Sequence, residues 1–233
     1  MMKIKKRIFA FVLILATLFT LTTIPVSASS YVSTRLVSQV AQVALSKVGT
    51  YWDNAMCEAF AETMYRNAKI TLAYKGCAKE ACDSWWQSST SSNIPIGAMV
   101  FASSSSSTHN GHNAGHVGIY VGDGFVVHGG VGTTVRKDTL ADFLKGRNYW
   151  GWGIGGGYTL DYNTNNRRTT MNLVVYSAAT GNTTIGSLNK NEIVLYTGKK
   201  QNGRAEVMYF VTGTTNTKTG YVNENGLARN LTN

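Results

Sequence analysis

The chain has 233 residues, a formal net charge of +10, 15% charged residues and three cysteines. That length holds one sizeable hydrophobic core plus a smaller second one. The basic residues form only doublets, Arg167-Arg168 and Lys199-Lys200, without interleaved aromatics. This excludes a nucleic-acid-binding surface and leaves mild attraction to an anionic surface.

Residues 1–28 read as a signal peptide. Lys3, Lys5, Lys6 and Arg7 precede an apolar run from Ile8 to Ile24, and Val26-Ser27-Ala28 has the small-residue spacing of a cleavage site. A transmembrane anchor is the alternative, but the run is only about 17 residues long and ends at a proline. No cysteine follows it that could carry a lipid. The expectation is a secreted chain with no stable membrane insertion after cleavage and a charge near about +6, suited to a bacterial envelope.

From Ser33 to Val48, apolar residues recur at helical spacing up to Gly49. A second helix is expected over Ala55–Ala68, with Asp53 or Asn54 as N-cap. Cys57 then falls in its first turn, where free N–H groups and the helix dipole lower a thiol's pKa. A core cysteine at a helix end is the equal alternative. Leu72–Trp86 holds another short helix, and Cys77 and Cys82 are candidates for a disulfide provided that Gly76 breaks the helix between them and the preceding chain.

Ala98–Ala102 reads as a strand, followed by a Ser/Asn/Gly/His loop over Ser103–Ala114. His109, His112 and His116 are weighed as a metal cluster and set aside, because no carboxylate or further cysteine stands near them in sequence. No metal or cofactor is expected. Val117, Ile119 and Val121 then alternate as in a half-buried strand, Gly122-Asp123-Gly124 supplies a hairpin turn, and Phe125-Val126-Val127 starts the return. The hairpin sets His116 and His128 side by side, one imidazole able to fix the tautomer of the other. Thr134–Arg136 reads as a turn or short strand, Thr139–Leu144 as a helical turn and Tyr149–Ile154 as a last strand. Residues 157–170 read as a linker, and 171–233 as a small all-β module of binding or support character.

A thiol at a helix head facing an imidazole on a sheet suits nucleophilic attack on a carbonyl, with first-turn N–H groups receiving the oxyanion. Tyr51 is a candidate donor there, and Asp53 a candidate ligand for a positively charged substrate group or a simple N-cap.

The order Tyr51-Trp52, Cys57 at a helix head, Ile96-Gly97-Ala98-Met99-Val100-Phe101, Gly115-His116-Val117-Gly118-Ile119-Tyr120 and Val126-Val127-His128 resembles the NlpC-type, papain-like cell-wall cysteine peptidases over about Ser33–Ile154. The resemblance implies an α+β catalytic domain over 29–156 with N-terminal helices and an antiparallel sheet. It implies Cys57 as nucleophile, His116 as general base and acid, His128 as its orienting residue, and Tyr51 at the oxyanion and substrate pocket. Residues 171–233 resemble a bacterial SH3-like barrel, through Leu173-Val174-Val175-Tyr176, Ile185–Val194 and Thr219-Gly220-Tyr221-Val222. The implied function is cleavage of peptidoglycan stem peptides, commonly between γ-D-glutamate and a diamino acid, with cell-wall contact through the C-terminal module. An N-acetylmuramoyl-L-alanine amidase, a transferase and a non-catalytic wall-binding protein are the alternatives. The chain departs from the family's Asp-Cys-Ser-Gly, having Met56-Cys57-Glu58-Ala59 instead.

Overall fold

The computed structural model describes residues 31–231, so the leader expected over 1–28 lies outside the described residues. Strand β1 (Tyr31–Ser33) runs into helix α1 (Thr34–Leu45), whose Val37, Val40, Ala41 and Ala44 are fully buried. Helix α2 (Cys57–Asn67) buries Phe60, Ala61 and Met64 in the same core. Helix α3 (Ala78–Trp85) leads directly into β2 (Trp86–Ser88). Then come β3 (Met99–Ala102), the short hairpin β4 (Thr108–His109) and β5 (His112–Asn113), the long hairpin β6 (His116–Gly122) and β7 (Phe125–His128), β8 (Arg136–Thr139), the one-turn helix α4 (Leu140–Phe143) and β9 (Tyr149–Gly153).

Six of these strands form one antiparallel sheet in the order β2-β9-β3-β6-β7-β8. The expected half-buried central strand is buried on both faces: every residue of β6 is covered. Helices α1 and α2 pack against it, and Phe143 of α4 stacks on the His116 ring, with centroids 5.0 Å apart. Gly118 makes this closeness feasible. A Cβ there would stand 2.4 Å from Val126 Cγ1 and 3.0 Å from His128 Cβ. The β6–β7 turn has positive φ at Asp123 (55°) and Gly124 (76°), the pair of left-handed residues that a tight hairpin requires.

The segment 157–170 is structured where a linker was expected. Strand β10 (Thr159–Asp161) pairs in parallel with β1, and β11 (Asn166–Thr169) pairs with the C-terminal strands. These are β12 (Leu173–Tyr176), β13 (Thr184–Leu188), β14 (Ile193–Gln201), β15 (Arg204–Phe210), β16 (Thr217–Asn223) and β17 (Leu227–Ala228). With β11 they make a seven-stranded sheet, β13-β12-β16-β15-β14-β11-β17. Its own core is Leu173, Val175, Leu188, Val194, Val207, Tyr209 and Val222.

The two cores are joined tightly. Ile193 of β14 is buried in the first core, and its N–H donates to Ser38 Oγ of α1 at 3.1 Å. Asn191 Nδ2 donates to Val121 O and Asp123 Oδ2, at 3.2 and 3.0 Å, and Lys190 pairs with Asp123 at 2.7 Å. Among the described residues no helix is long and apolar enough to cross a membrane.

Candidate active site

Cys57 is the first residue of α2, and no side chain caps that helix. Neither expected cap takes the role, because both are occupied elsewhere. Asn54 Oδ1 accepts from Gly132 N–H at 3.2 Å, and Asp53 Oδ1 accepts the Tyr51 hydroxyl at 2.7 Å. The N-cap is Met56, whose carbonyl accepts the Trp52 indole N–H at 2.9 Å. The N–H groups of Cys57 and Glu58, together with that of Val117 on β6, face the sulfur.

The loop after β7 closes over this helix head. Ala55 N–H donates to Gly130 O at 3.0 Å, and a Cβ on Gly130 would stand 2.5 Å from Cys57 N. Gly130 also has φ of +80°, so a side chain is refused there both by conformation and by space. The result is a groove of about 390 Å³. Cys57, Glu58 and His116 line it, with the Ser-rich loop 104–107, Gly130 and Arg147 around them.

Inside the sheet, His116 Nε2 lies 3.0 Å from His128 Nδ1, and His128 Nε2 lies 3.0 Å from Asp138 Oδ2. Asp138 also pairs with Arg136 at 2.8 Å. This chain has a direction. A carboxylate only accepts, so His128 Nε2 carries a hydrogen and its Nδ1 a lone pair. His116 Nε2 must then donate to that lone pair, leaving His116 Nδ1 as the basic atom.

Both rings are held neutral. Burial, then the neighbouring His128 and Arg147, pushes His116 down to about 2. Burial also lowers His128, against the opposing pull of Asp138. The thiol moves the other way from the sequence expectation. Cys57 is 8% exposed, and its burial raises the pKa above the ordinary 9.0, outweighing the N–H groups that favour the thiolate. No hydrogen bond joins Sγ to the His116 ring among the described residues. The groove at rest therefore holds a thiol and a neutral imidazole. Alkylation of Cys57 by iodoacetamide is expected to be slower than that of a free peptide thiol at pH 7. Its rate should climb about tenfold per pH unit to beyond pH 9. A rate already level by pH 6–7 would reveal a preformed thiolate–imidazolium pair and contradict this assignment.

The expected residues are only partly brought together. His116 and His128 meet as the hairpin demands. Tyr51 does not join them: it is 69% exposed, bridges to Thr134 on a separate ladder and spends its hydroxyl on Asp53. Neither Tyr51 nor Asp53 lines the groove. Cys77 and Cys82 are not joined by a disulfide; all three cysteines are free. Gly76 breaks the chain ahead of both, so Cys77 caps α3 and Cys82 sits within it, and residues five apart on one continuous helix point in different directions.

Sequence reading missed Asp138 and Glu58. Asp138 stands ten residues after His128 on a strand that pairs His128 with Arg136, so the register of β7 with β8 was the signal. Glu58 is 5% exposed, and neither carboxyl oxygen has a hydrogen-bond partner. Burial first, and then the neighbouring Glu62, pushes it up to about 9, so it is a neutral carboxyl at pH 7 beside Cys57. The weighed triad of His109, His112 and His116 does not form. Instead Cys77, Glu80 and His112 offer ligand atoms within 4.8 Å of one another.

No family model matches the chain, and no curated protein sequence matches it. Similar solved structures include a protein described as similar to lipoprotein, of the NLP/P60 family, from Staphylococcus aureus subsp. aureus Mu50, 18% identical over 55% of this chain and 44% of that one, with a TM-score of 0.39. Another is Ly7917, solved with the hydrolyzing product of MDP, 16% identical over 80% of this chain and 92% of that one, with a TM-score of 0.34. The chain thus spans less than half the length of the first. Likenesses this remote do not decide what the groove does, and its own chemistry has to.

Proposed function

We propose that the protein is a secreted cysteine hydrolase of peptidoglycan stem peptides, cutting the amide between γ-D-glutamate and a diamino acid. The observation that carries the reading is the directed chain Asp138–His128–His116, which leaves a lone pair on His116 Nδ1, and His116 and Cys57 line the same groove. Cys57 Sγ attacks the scissile carbonyl while its proton passes to His116 Nδ1. The oxyanion is received by the uncapped N–H groups at the head of α2. His116 then returns the proton to the departing amine, leaving a thioester. Water, deprotonated by the same nitrogen, releases the acid and restores the thiol.

A neutral base suits this sequence of steps, because proton transfer accompanies attack and no thiolate is stored beforehand. His128 and Asp138 hold His116 in the reactive tautomer and share the positive charge it acquires. The resemblance of the sequence to NlpC-type peptidases supports the substrate class. Residues 171–233 are read as the contact to the wall.

Digestion of purified walls, with new termini identified by mass spectrometry, tests the reading. A free amino group on the diamino acid is expected. A free muramic lactyl group would make the protein an amidase, and no new terminus would make it a wall-binding protein.

A further inference from the structure

A second cluster of chemistry-bearing residues adjoins the same groove, which Cys77 and His109 help to line. Cys77, itself buried, is the N-cap of α3 with no capping bond from its side chain, and Glu80 follows three residues later in the first turn. This spacing sets both on one face of the helix start. Glu80 Oε2 accepts Gly76 N–H at 2.9 Å, and Oε1 lies 3.6 Å from His109 Nε2.

His109 and His112 come from the opposite partner, the β4–β5 hairpin. They are directly paired across its turn, with rings 6.1 Å apart. Asn110 and Gly111 form that turn with φ of 49° and 80°, the left-handed pair that a two-residue hairpin demands. Asn113 braces the hairpin by accepting from the N–H groups of Ser104 and Gly115, and Lys79 N–H of α3 donates to Ala114 O. His112 is also poised by tautomer. Its Nδ1 lies 3.2 Å from the Asn113 carbonyl, which only accepts, so the hydrogen is on Nδ1 and Nε2 keeps its lone pair. A metal-binding histidine is commonly oriented by such a bond.

From this juxtaposition we propose that Cys77, Glu80, His109 and His112 bind one divalent ion of the zinc class, fastening α3 to the β4–β5 hairpin. Ligand atoms of Cys77, Glu80 and His112 already lie within 4.8 Å of one another. A tetrahedral ion with bonds of about 2.0–2.3 Å separates its ligands by about 3.3–3.8 Å, so a small contraction brings these three onto an ion, and His109, whose Nε2 is 3.6 Å from Glu80 Oε1, turns in as the fourth. One thiolate, one carboxylate and two imidazoles favour zinc over magnesium or calcium, which take oxygen alone. Binding replaces the Cys77 thiol proton with the metal bond and releases that proton to solvent. The site is separate from the nucleophile, and its role is to hold the Ser-rich rim of the groove in place.

The test is titration of the reduced, chelator-stripped protein with cobalt(II), then zinc. One equivalent of cobalt is expected, with tetrahedral d–d bands and a thiolate-to-cobalt charge-transfer band, displaced by one equivalent of zinc. Cys77→Ala should abolish the charge-transfer band and weaken zinc binding by about 100-fold or more, since even outer partners of such sites are worth 10–100-fold. His112→Gln should weaken binding comparably, which serves if the Cys77 variant fails to fold. Cys82→Ala and Cys57→Ala should bind as wild type. Substoichiometric binding by the wild type, a band that survives Cys77→Ala, or one that vanishes in Cys57→Ala would overturn the proposal.

Discussion

Cys57→Ala is expected to digest purified cell walls about 10⁴-fold or more slowly than wild type, with its fold intact. The magnitude follows from the role: without the sulfur no thioester forms, and what is left is binding and the N–H groups at the head of α2. The fold survives because the change removes a single sulfur from a helix end at the edge of the first core and leaves the Cβ in place. Thermal denaturation should move by a few degrees at most, about 1 kcal/mol for a small buried group. A loss of activity accompanied by collapse of the thermal transition would say instead that Cys57 is a core residue. Digestion at the wild-type rate would remove it from the chemistry altogether.

The second large effect falls on a residue that does not line the groove. Asp138→Asn keeps the shape of the side chain but turns an obligate acceptor into a group whose Nδ2 can donate to His128 Nε2. His128 then carries its hydrogen on Nδ1 and donates it to His116 Nε2, so the hydrogen of His116 moves to Nδ1 and the basic lone pair is lost from the groove. A fall in kcat of about 10²–10⁴-fold with little change in KM is expected. Nitrogen NMR shifts should show His116 protonated on Nε2 in wild type and on Nδ1 in the variant. Asp138→Glu should recover part of the rate, because a carboxylate still fixes the polarity. A variant with slow turnover but an unaltered His116 tautomer would reduce Asp138 to a structural ion-pair partner of Arg136.

How much of this was legible in the sequence follows the range of the interactions. The two histidines were, because the pleat and the Gly122-Asp123-Gly124 turn bring the two strands together, with the register shift between Tyr120 and Gly122 setting both imidazoles on one face. So was a helix with Cys57 in its first turn, written in local periodicity. Asp138 was missed because the strand was expected over 134–136, while pairing runs over Arg136–Thr139, and that offset hides the carboxylate. Tyr51 was misplaced for the opposite reason. Six residues from Cys57 is close along the chain, but pairing with Thr134 turns the ring outward, and nothing in the local sequence reports a contact that remote.

The same limit explains the cluster of Cys77, Glu80, His109 and His112. Each half has a readable spacing of three, yet about thirty residues separate the halves, and only tertiary packing of α3 on the hairpin joins them. Residues 157–170 look like a linker by composition because β11 earns its place by pairing with β14 and β17 rather than by any apolar pattern of its own. The thiol's raised pKa is a further case. Helix position argued for lowering it, and only the depth of burial shows which influence prevails.

The central claim, that Cys57 carries the acyl group in a reaction run by His116, is tested most directly by quenching the protein in acid during wall digestion and mapping its peptides by mass. The account predicts a stem-peptide fragment on the Cys57 peptide, released by hydroxylamine as a thioester is. Vigorous digestion with the Cys57 peptide unmodified at every time point would contradict it.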